Sequence, residues 1–576
     1  MNDTTRKLLD SMTLEQKVGQ MLCLGFCGSY PHPDIIQMIE KYHVAGFRVT
    51  PYATKFVRYL SKDHPGVRRV TRDRQPYERV YGAKGGHLKP NAYEYAKVLN
   101  ELRQRSIDTG AGVPLYFALD FEGGVSADLL ESGMHSVPHP MGQAASGDPE
   151  LAYKAGYLTG KQMKAAGIDW VHSPDVDVNT DPANPEISTR SYSPKVETVI
   201  EYVLQILRGY KDANFVATGK HFPGRGHSAV DAHFDVPSIE ESAERMQNIH
   251  LAPYKAMIES GMLPAVMLAH SVYPALDPSG EISTLSRPIV TGVLREQLGF
   301  EGVILTDSFT MGGLVARYEV PEAAVRSIEA GVDIVLLKDE NALRGEIYEA
   351  IFDAVRSGRI SEDRVHESVA RVLTVKEQYG LLDGNKGMVD MDELRETLEA
   401  DEIDEIGEDI HRRTVALLRN DGSTLPLQKN AKVLVVEENC SVYQRHRSYN
   451  HSIGMLYHAL LERGVDCQYT DFEKWNFDEC WPTIQEMAQW ADVVVYTGYY
   501  NRGNNPHRGN YEKIESLDKS TVFVGNNPYG LLVTEGMKNV FMISTQSRYS
   551  MEMVADVLTG TEKPTAKLDF DPARTY

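Results

Sequence analysis

Long apolar runs, paired cysteines and an excess of positive charge are all missing from this sequence. No apolar stretch approaches the ~20 residues that a membrane-spanning helix requires, so no membrane partner is expected. The opening "MNDTTRKLLDSMTLEQKVGQM" carries acidic residues early and no apolar core segment, which reads as no signal peptide. The five cysteines (Cys23, Cys27, Cys440, Cys467 and Cys480) are odd in number and scattered, a pattern that fits reduced thiols and a cytoplasmic location. Cys23 and Cys27 lie in the apolar run "QMLCLGFC" and are expected to pack in the core. There is no HExxH and no paired-cysteine spacing, so no metal or other cofactor is implied, although His221, His227 and His233 are close enough in sequence to raise the question. Lys and Arg number 60 against 81 Asp and Glu, a net charge of −21. A nucleic-acid partner would need clustered positive charge that this balance does not supply.

What is present is a repeating alternation. At 576 residues the chain exceeds what a single hydrophobic core organises. From about residue 20 to 340, eight short apolar runs alternate with longer helical stretches: "QMLCLGF", "VAGFRVT", "PLYFALDF", "IDWVHSPDVDV", "NFVATGKHF", "AVMLAHSVY", "GVILTDSF" and "GVDIVLLK". Eight such runs with polar ends count out an α/β fold, a (β/α)8 TIM-like barrel over residues 1–380 with its site at the strand C-termini. Thr13 and Gln16 form a capping box ahead of the leading helix. Residues 381–412 turn strongly acidic and read as a linker with a solvated helix. Over 413–576, "AKVLVVEEN", "DVVVYTGYY", "TVFVGNN" and "NVFMIST" predict a second, smaller, open α/β sandwich domain. Residues 52–92 stand apart, with Lys55, Arg58, Lys62, Arg68, Arg69, Arg72, Arg74, Arg79, Lys84 and Lys89 against Asp63, Asp73 and Glu78. An insert of this length at a barrel loop shapes the site mouth or contacts a second copy in a homo-oligomer.

The chemistry gathers at the predicted strand ends. "GVILTDSFTM" delivers Asp307 from a buried strand, where desolvating a carboxylate makes sense only if it works or is paired. "FALDFEGG" supplies Asp120 and Glu122, "VHSPDVDVNTDPANPEISTRSYS" supplies Asp175, Asp177 and Arg190, and "AVMLAHSVY" supplies His270. The densest stretch, "TGKHFPGRGHSAVDAHFDVP", adds Lys220, His221, His227, Asp231, His233 and Asp235. Acids and cations mixed in this way suit a neutral polyhydroxylated ligand held by paired hydrogen bonds. Cleavage of a glycosidic bond with retention needs a carboxylate nucleophile and a proton donor about 5 Å away. Asp307 suits the first role. Asp231 and His233, at i and i+2, leave the same face of an extended segment, and a carboxylate on one imidazole nitrogen raises the basicity of the other.

These residues resemble glycoside hydrolase family 3, and within it the β-N-acetylglucosaminidase branch. "LLDSMTLEQKVGQM" is similar to the family's opening, "DFEGG" to D-x-E-G-G, and "NPEISTRSYS" to N-P-x-x-x-x-R-S-[FY]. "TGKHFPGRGHSAVDAHFDVP" is similar to K-H-F-P-G-H-G-D-x-x-x-D-x-H-x-x-x-P, "VILTDSFTM" to the nucleophile strand, and "RRTVALLRNDGSTLPL" to the entry into the C-terminal domain. The resemblance implies Asp307 as nucleophile and His233 as acid/base with Asp231 as its partner. It also implies Asp120, Arg190, Lys220 and His221 as sugar-hydroxyl contacts, to which Asp177 and His270 are added as expected substrate contacts. The chain departs from the pattern at Arg225 and His227, where the family reads G-H-G-D, and at Val125 and Asp128, where arginines commonly follow E-G-G. The implied activity is a retaining exo-β-glycosidase acting on a small oligosaccharide or glycoside without a cofactor, foremost a β-N-acetylglucosaminidase. A glycoside phosphorylase or β-glucosidase of the same family, and an inactive sugar-binding protein, stand as alternatives.

Overall fold

The computed structural model describes residues 1–51, 55–59, 77–81, 91–124, 126–127, 133–232, 235–338, 340–439, 454–473, 476–499, 508–531, 534 and 536–576. Eight strands match the eight predicted runs: β1 (Leu22–Cys27), β2 (Gly46–Thr50), β3 (Tyr116–Leu119), β4 (Trp170–Val171), β5 (Thr218–Phe222), β6 (Ala265–Leu268), β7 (Val303–Thr306) and β8 (Val335–Leu337). Five of them form a sheet in the order β8-β1-β2-β3-β4 and three form the order β7-β6-β5. Parallel bridges join the two arcs, Trp170 to Val216 and Asp175 to Lys220 on one side, and Leu305 to Ile334 on the other, so the barrel closes.

Parallel strands wrapped by helices are buried on both faces, which is why they read as continuous apolar runs. One set of side chains fills the barrel interior: Cys23, Tyr116, Ala118, Trp170, Met267, Leu305 and Leu336 belong to one buried cluster. Trp170 stacks at a tilt on Tyr116 with ring centroids 4.8 Å apart, and its Nε1 donates to Thr218 Oγ1 at 2.6 Å. Each such fully buried apolar side chain contributes about 1.5–3 kcal/mol. Burial pushes the Cys23 thiol up to about 12, as an inert packing residue requires. The other face of the strands joins the larger core formed with the helices. At the N-terminal end of the barrel the buried Lys376 Nζ donates to Gln20 Oε1, Ala45 O and Pro114 O, closing that end with backbone acceptors. The capping box forms as expected, Gln16 N donating to Thr13 Oγ1 and Thr13 N to Gln16 Oε1.

The stretch 381–412 is more ordered than the acidic composition predicts. Helices Met391–Leu398 and Asp401–Arg412 bury Leu394, Leu398, Ile403 and Ile410 in the barrel's core. Their acids face outward, while apolar residues at helical spacing pack, so this segment is welded on and is not a bare linker. After it comes a six-stranded sheet of β9 (Ala416–Arg419), β10 (Lys432–Asn439), β11 (Asp466–Glu473), β12 (Val493–Gly498), β13 (Ser520–Gly525) and β14 (Val540–Met542). Its order is β9-β14-β13-β12-β10-β11, parallel except for β9 against β14. Apolar clusters on its two faces make the expected α/β sandwich. Within the insert 52–92, Lys55–Tyr59 pairs antiparallel with Tyr77–Tyr81. The basic side chains named above lie outside the described residues.

The sandwich braces the barrel loop that follows β4. Asn179 Nδ2 donates to Tyr529 Oη at 3.0 Å, and Tyr576 N donates to Thr180 O at 2.9 Å. Asp569 accepts from Ser193 and Thr198 hydroxyls. Nearby, Gly142 N donates to His139 Nδ1, and His139 Nε2 meets Asn526 O at 3.1 Å.

Candidate active site

The C-terminal mouth of the barrel holds a buried network of charges. Glu122, 2 % exposed, accepts from Arg190 Nε at 2.6 Å and Nη2 at 3.0 Å, and also from Lys220 Nζ. A guanidinium presenting two parallel donors to one carboxylate is the geometry that fixes both direction and position. Arg190 Nη2 also lies 3.0 Å from Asp175 Oδ2. Burial, opposed by Arg190 and reinforced by the neighbouring Asp177, holds the Asp175 carboxyl well above the usual carboxylate range.

Asp120, directly after β3, is ringed by three cations and a buried histidine. Arg48 Nη2 is 2.5 Å away, His172 Nδ1 3.4 Å, Lys338 Nζ 3.4 Å and Lys220 Nζ 3.6 Å. Burial works to raise this carboxyl, but Arg48, Lys220 and Lys338 outweigh it and hold it well below the usual range. His221 is oriented by Asp177: the ring Nδ1 meets Asp177 Oδ2 at 2.8 Å and the backbone N donates to the same oxygen at 3.2 Å. That turns Nε2 toward Asp307, 3.9 Å from Oδ2. Asp307 itself follows β7. Its Oδ1 accepts from Ser308 N at 2.7 Å, and its Oδ2 lies 3.7 Å from Arg225 Nη2. The carboxylate is thus oriented through one oxygen, with the other facing two nitrogens.

The loop after β5 comes close to the Asp175–Arg190 loop because of one glycine. A Cβ at Gly226 would stand 1.8 Å from Val178 O, so any side chain would push the two loops apart. Arg225 N donates to Asp177 Oδ1 at 2.6 Å, and Asn184 Nδ2 donates to Arg225 O at 3.0 Å. Glu186 ties in the next turn: its Oε1 meets Arg225 Nη2 at 2.9 Å and its Oε2 accepts from Ala232 N at 3.4 Å. Asp231, the residue before Ala232, is buried. His233 lies outside the described residues.

Of the expected site residues, Asp120, Asp177, Arg190, Lys220, His221 and Asp307 come together. His270 does not present a nitrogen to the pocket. It is fully buried behind Asp307, with Nδ1 on Thr284 Oγ1 and Nε2 on Ser308 O, where it supports the Asp307–Ser308 turn. Burial lowers its pKa to about 4. His227 bonds Thr180 Oγ1 and faces Glu241, and Asp235 is exposed beside Arg317. Asp175, Asp177 and His221 bring metal-ligand atoms within 4.8 Å of one another, but Arg190 already places a cation on Asp175 there. Sequence reasoning missed Arg48, His172, Glu186 and Lys338. The signal for the first was visible as a lone arginine inside the apolar strand "GFRVT".

The sequence profile of the glycosyl hydrolase family 3 N-terminal domain matches residues 13–375, well over half of the chain. A protein named beta-hexosaminidase A from Pseudoalteromonas piscicida is 28% identical over 371 residues, a match spanning 60% of this chain and 60% of that protein. A beta-N-acetylglucosaminidase/beta-glucosidase of Cellulomonas fimi is 26% identical over 479 residues, 79% of this chain and 83% of its own. The solved structure of a family 3 beta-N-acetylglucosaminidase from Paenibacillus sp. str. FPU-7 superposes with a TM-score of 0.81 at 30% identity, covering 97% of this chain and 98% of that one. A beta-glucoside phosphorylase superposes with a TM-score of 0.80 at 21% identity, a likeness of fold alone. With the closed barrel, the appended sandwich and a profile match over the whole barrel, the chain belongs to glycosyl hydrolase family 3.

Proposed function

We propose that this chain is a retaining exo-β-glycosidase that releases β-linked N-acetylglucosamine from small oligosaccharides or glycosides. Asp307 attacks the anomeric carbon, and the leaving oxygen takes a proton from His233, whose ring is held by Asp231. Water then attacks the glycosyl-Asp307 ester while His233 takes the proton back. Asp120, Arg190, Lys220 and His221 hold the sugar hydroxyls, with Asp177 orienting His221. The observation that carries the reading is Asp307, with Oδ1 fixed by the Ser308 amide and Oδ2 turned toward His221 and Arg225. The N-acetyl preference draws on the relatives named for that activity, since the charges at the mouth suit sugars in general.

A panel of p-nitrophenyl β-glycosides, assayed with and without phosphate and read by product mass, tests this. The expected result is fastest release from the N-acetylglucosaminide, free sugar as product and no dependence on phosphate. A sugar 1-phosphate would instead make the protein a phosphorylase, and preference for the glucoside would make it a β-glucosidase.

A further inference from the structure

Among the described residues, Arg225 combines full burial, a position beside the nucleophile and donors without a hydrogen-bond partner. Its side chain is 1 % exposed and its Nη2 contacts Glu186 at 2.9 Å and Asp307 Oδ2 at 3.7 Å. Its Nε and Nη1 have no hydrogen-bond partner among the described residues. Its backbone is pinned on both sides, by Asp177 and by Asn184, with Gly226 wedged against Val178. The stem of the side chain therefore starts from a fixed backbone, and Glu186 holds its far end at Nη2. It is also the position at which this chain departs from the histidine of the resembling loop.

Burying a cation with two idle donors is costly unless the reaction uses the charge. Glu186 alone neutralises Arg225 formally, yet the guanidinium leans on Asp307 as well. Resting on the reading of Asp307 as nucleophile, we infer that Arg225 is a positioning and electrostatic residue for the second half of the reaction. In that half, water attacks C1, the bond from C1 to the Asp307 oxygen breaks, its electron pair returns to the carboxylate, and the water proton passes to the acid/base group. Negative charge grows on Asp307, facing a fixed cation that needs no reorganisation to receive it. In the first half the same charge is consumed, so Arg225 opposes attack as it steadies the attacking group. The two halves should respond to its loss in opposite proportion: the first step gains nucleophilicity as it loses orientation, while the second loses its charge-stabilising group outright.

The test uses the full chain and a 5-fluoro N-acetylglucosaminyl fluoride, which traps the glycosyl-enzyme slowly enough to follow both halves. Inactivation reports the first step, and recovery of activity after removal of excess reagent reports the second. Arg225→Gln is expected to recover on the order of 10² more slowly than the native protein, with the inactivation rate changed less than tenfold and the mass adduct still on Asp307. Arg225→Lys, which keeps a cation at shorter reach, should lie between the two and carries the test if the glutamine variant fails to fold. Equal slowing of both steps, or slowing of inactivation alone, overturns the inference and leaves Arg225 a packing residue. An adduct on another residue in the native protein overturns the nucleophile assignment instead, so the two failures are distinguishable.

Discussion

Glu122→Gln changes the network by a single charge and keeps its shape. The native carboxylate takes two bonds from Arg190, at 2.6 and 3.0 Å, and one from Lys220, and all three side chains are at most 7 % exposed. Removing one partner of a buried ion pair costs about 3–5 kcal/mol, because the other charge stays buried. Here the lower figure applies. Arg190 keeps Asp175 at 3.0 Å and Glu186 at 3.8 Å, and Lys220 keeps Asp120 at 3.6 Å. Burial and Asp177 hold the Asp175 carboxyl above the usual carboxylate range, and loss of Glu122 removes one further charge that raises it. A loss of about 3 kcal/mol spread over a barrel of this size lowers Tm by roughly 5 °C. Arg190 and Lys220, less firmly aimed, each weaken a charged hydrogen bond to substrate worth about 1.5–3 kcal/mol, so kcat/KM falls about 10- to 100-fold. Differential scanning calorimetry and initial rates on an aryl N-acetylglucosaminide read both. A Tm within about 1 °C of native, with unchanged kcat/KM, would refute the view that Glu122 anchors the sugar-facing cations.

Two buried histidines predict an acid-sensitive fold. Burial lowers His139 and His270 from 6.5 to about 4; the unfolded chain takes up their protons from about pH 6.5 downward while the folded state resists until about 4. Their contribution is therefore present above pH 6.5 and lost as pH falls through that window, up to about 3 kcal/mol each. Urea melts between pH 7 and 4 should show the decline, and His139→Asn should flatten it; a variant as acid-sensitive as the native protein would exclude His139 as a source. For proton donation, His233→Ala should slow poor leaving groups by roughly 10² to 10⁴ and activated aryl glycosides much less. Asp231→Ala should give a milder loss and move the pH profile lower as the imidazolium loses its anionic neighbour. Leaving-group dependence unchanged in His233→Ala would put the donor elsewhere.

The barrel was legible because its strands are buried on both faces and end in chemistry. Every apolar run, from Leu22 to Leu337, became a strand. The C-terminal sheet was read less fully. Its edge strand "DCQYTDFE", from Asp466 to Glu473, mixes polar and apolar residues because it pairs on one side only. The other edge, Ala416–Arg419, is short and antiparallel, and its four residues give no period to count. The acidic helix Asp401–Arg412 looked solvated because charge dominates its composition, although Ile403, Gly407 and Ile410 keep a helical stripe. In the site, motifs carried Asp120, Lys220, His221 and Asp307. They could not tell that His270 faces the back of the Asp307 turn, or that Arg48, within β2, and His172 and Lys338, directly after β4 and β8, converge on Asp120. Those are facts of barrel closure, which brings together residues from strands far apart in the sequence.

The central claim is that Asp307 forms the covalent bond to the sugar. Incubating the native protein with the 5-fluoro N-acetylglucosaminyl fluoride, digesting it and sequencing the labelled peptide by mass tests this directly. One sugar per chain is expected, carried by the peptide containing "GVILTDSF" with the added mass on Asp307, and no label in Asp307→Asn. A stable adduct on any other residue, or undiminished labelling of Asp307→Asn, would contradict it.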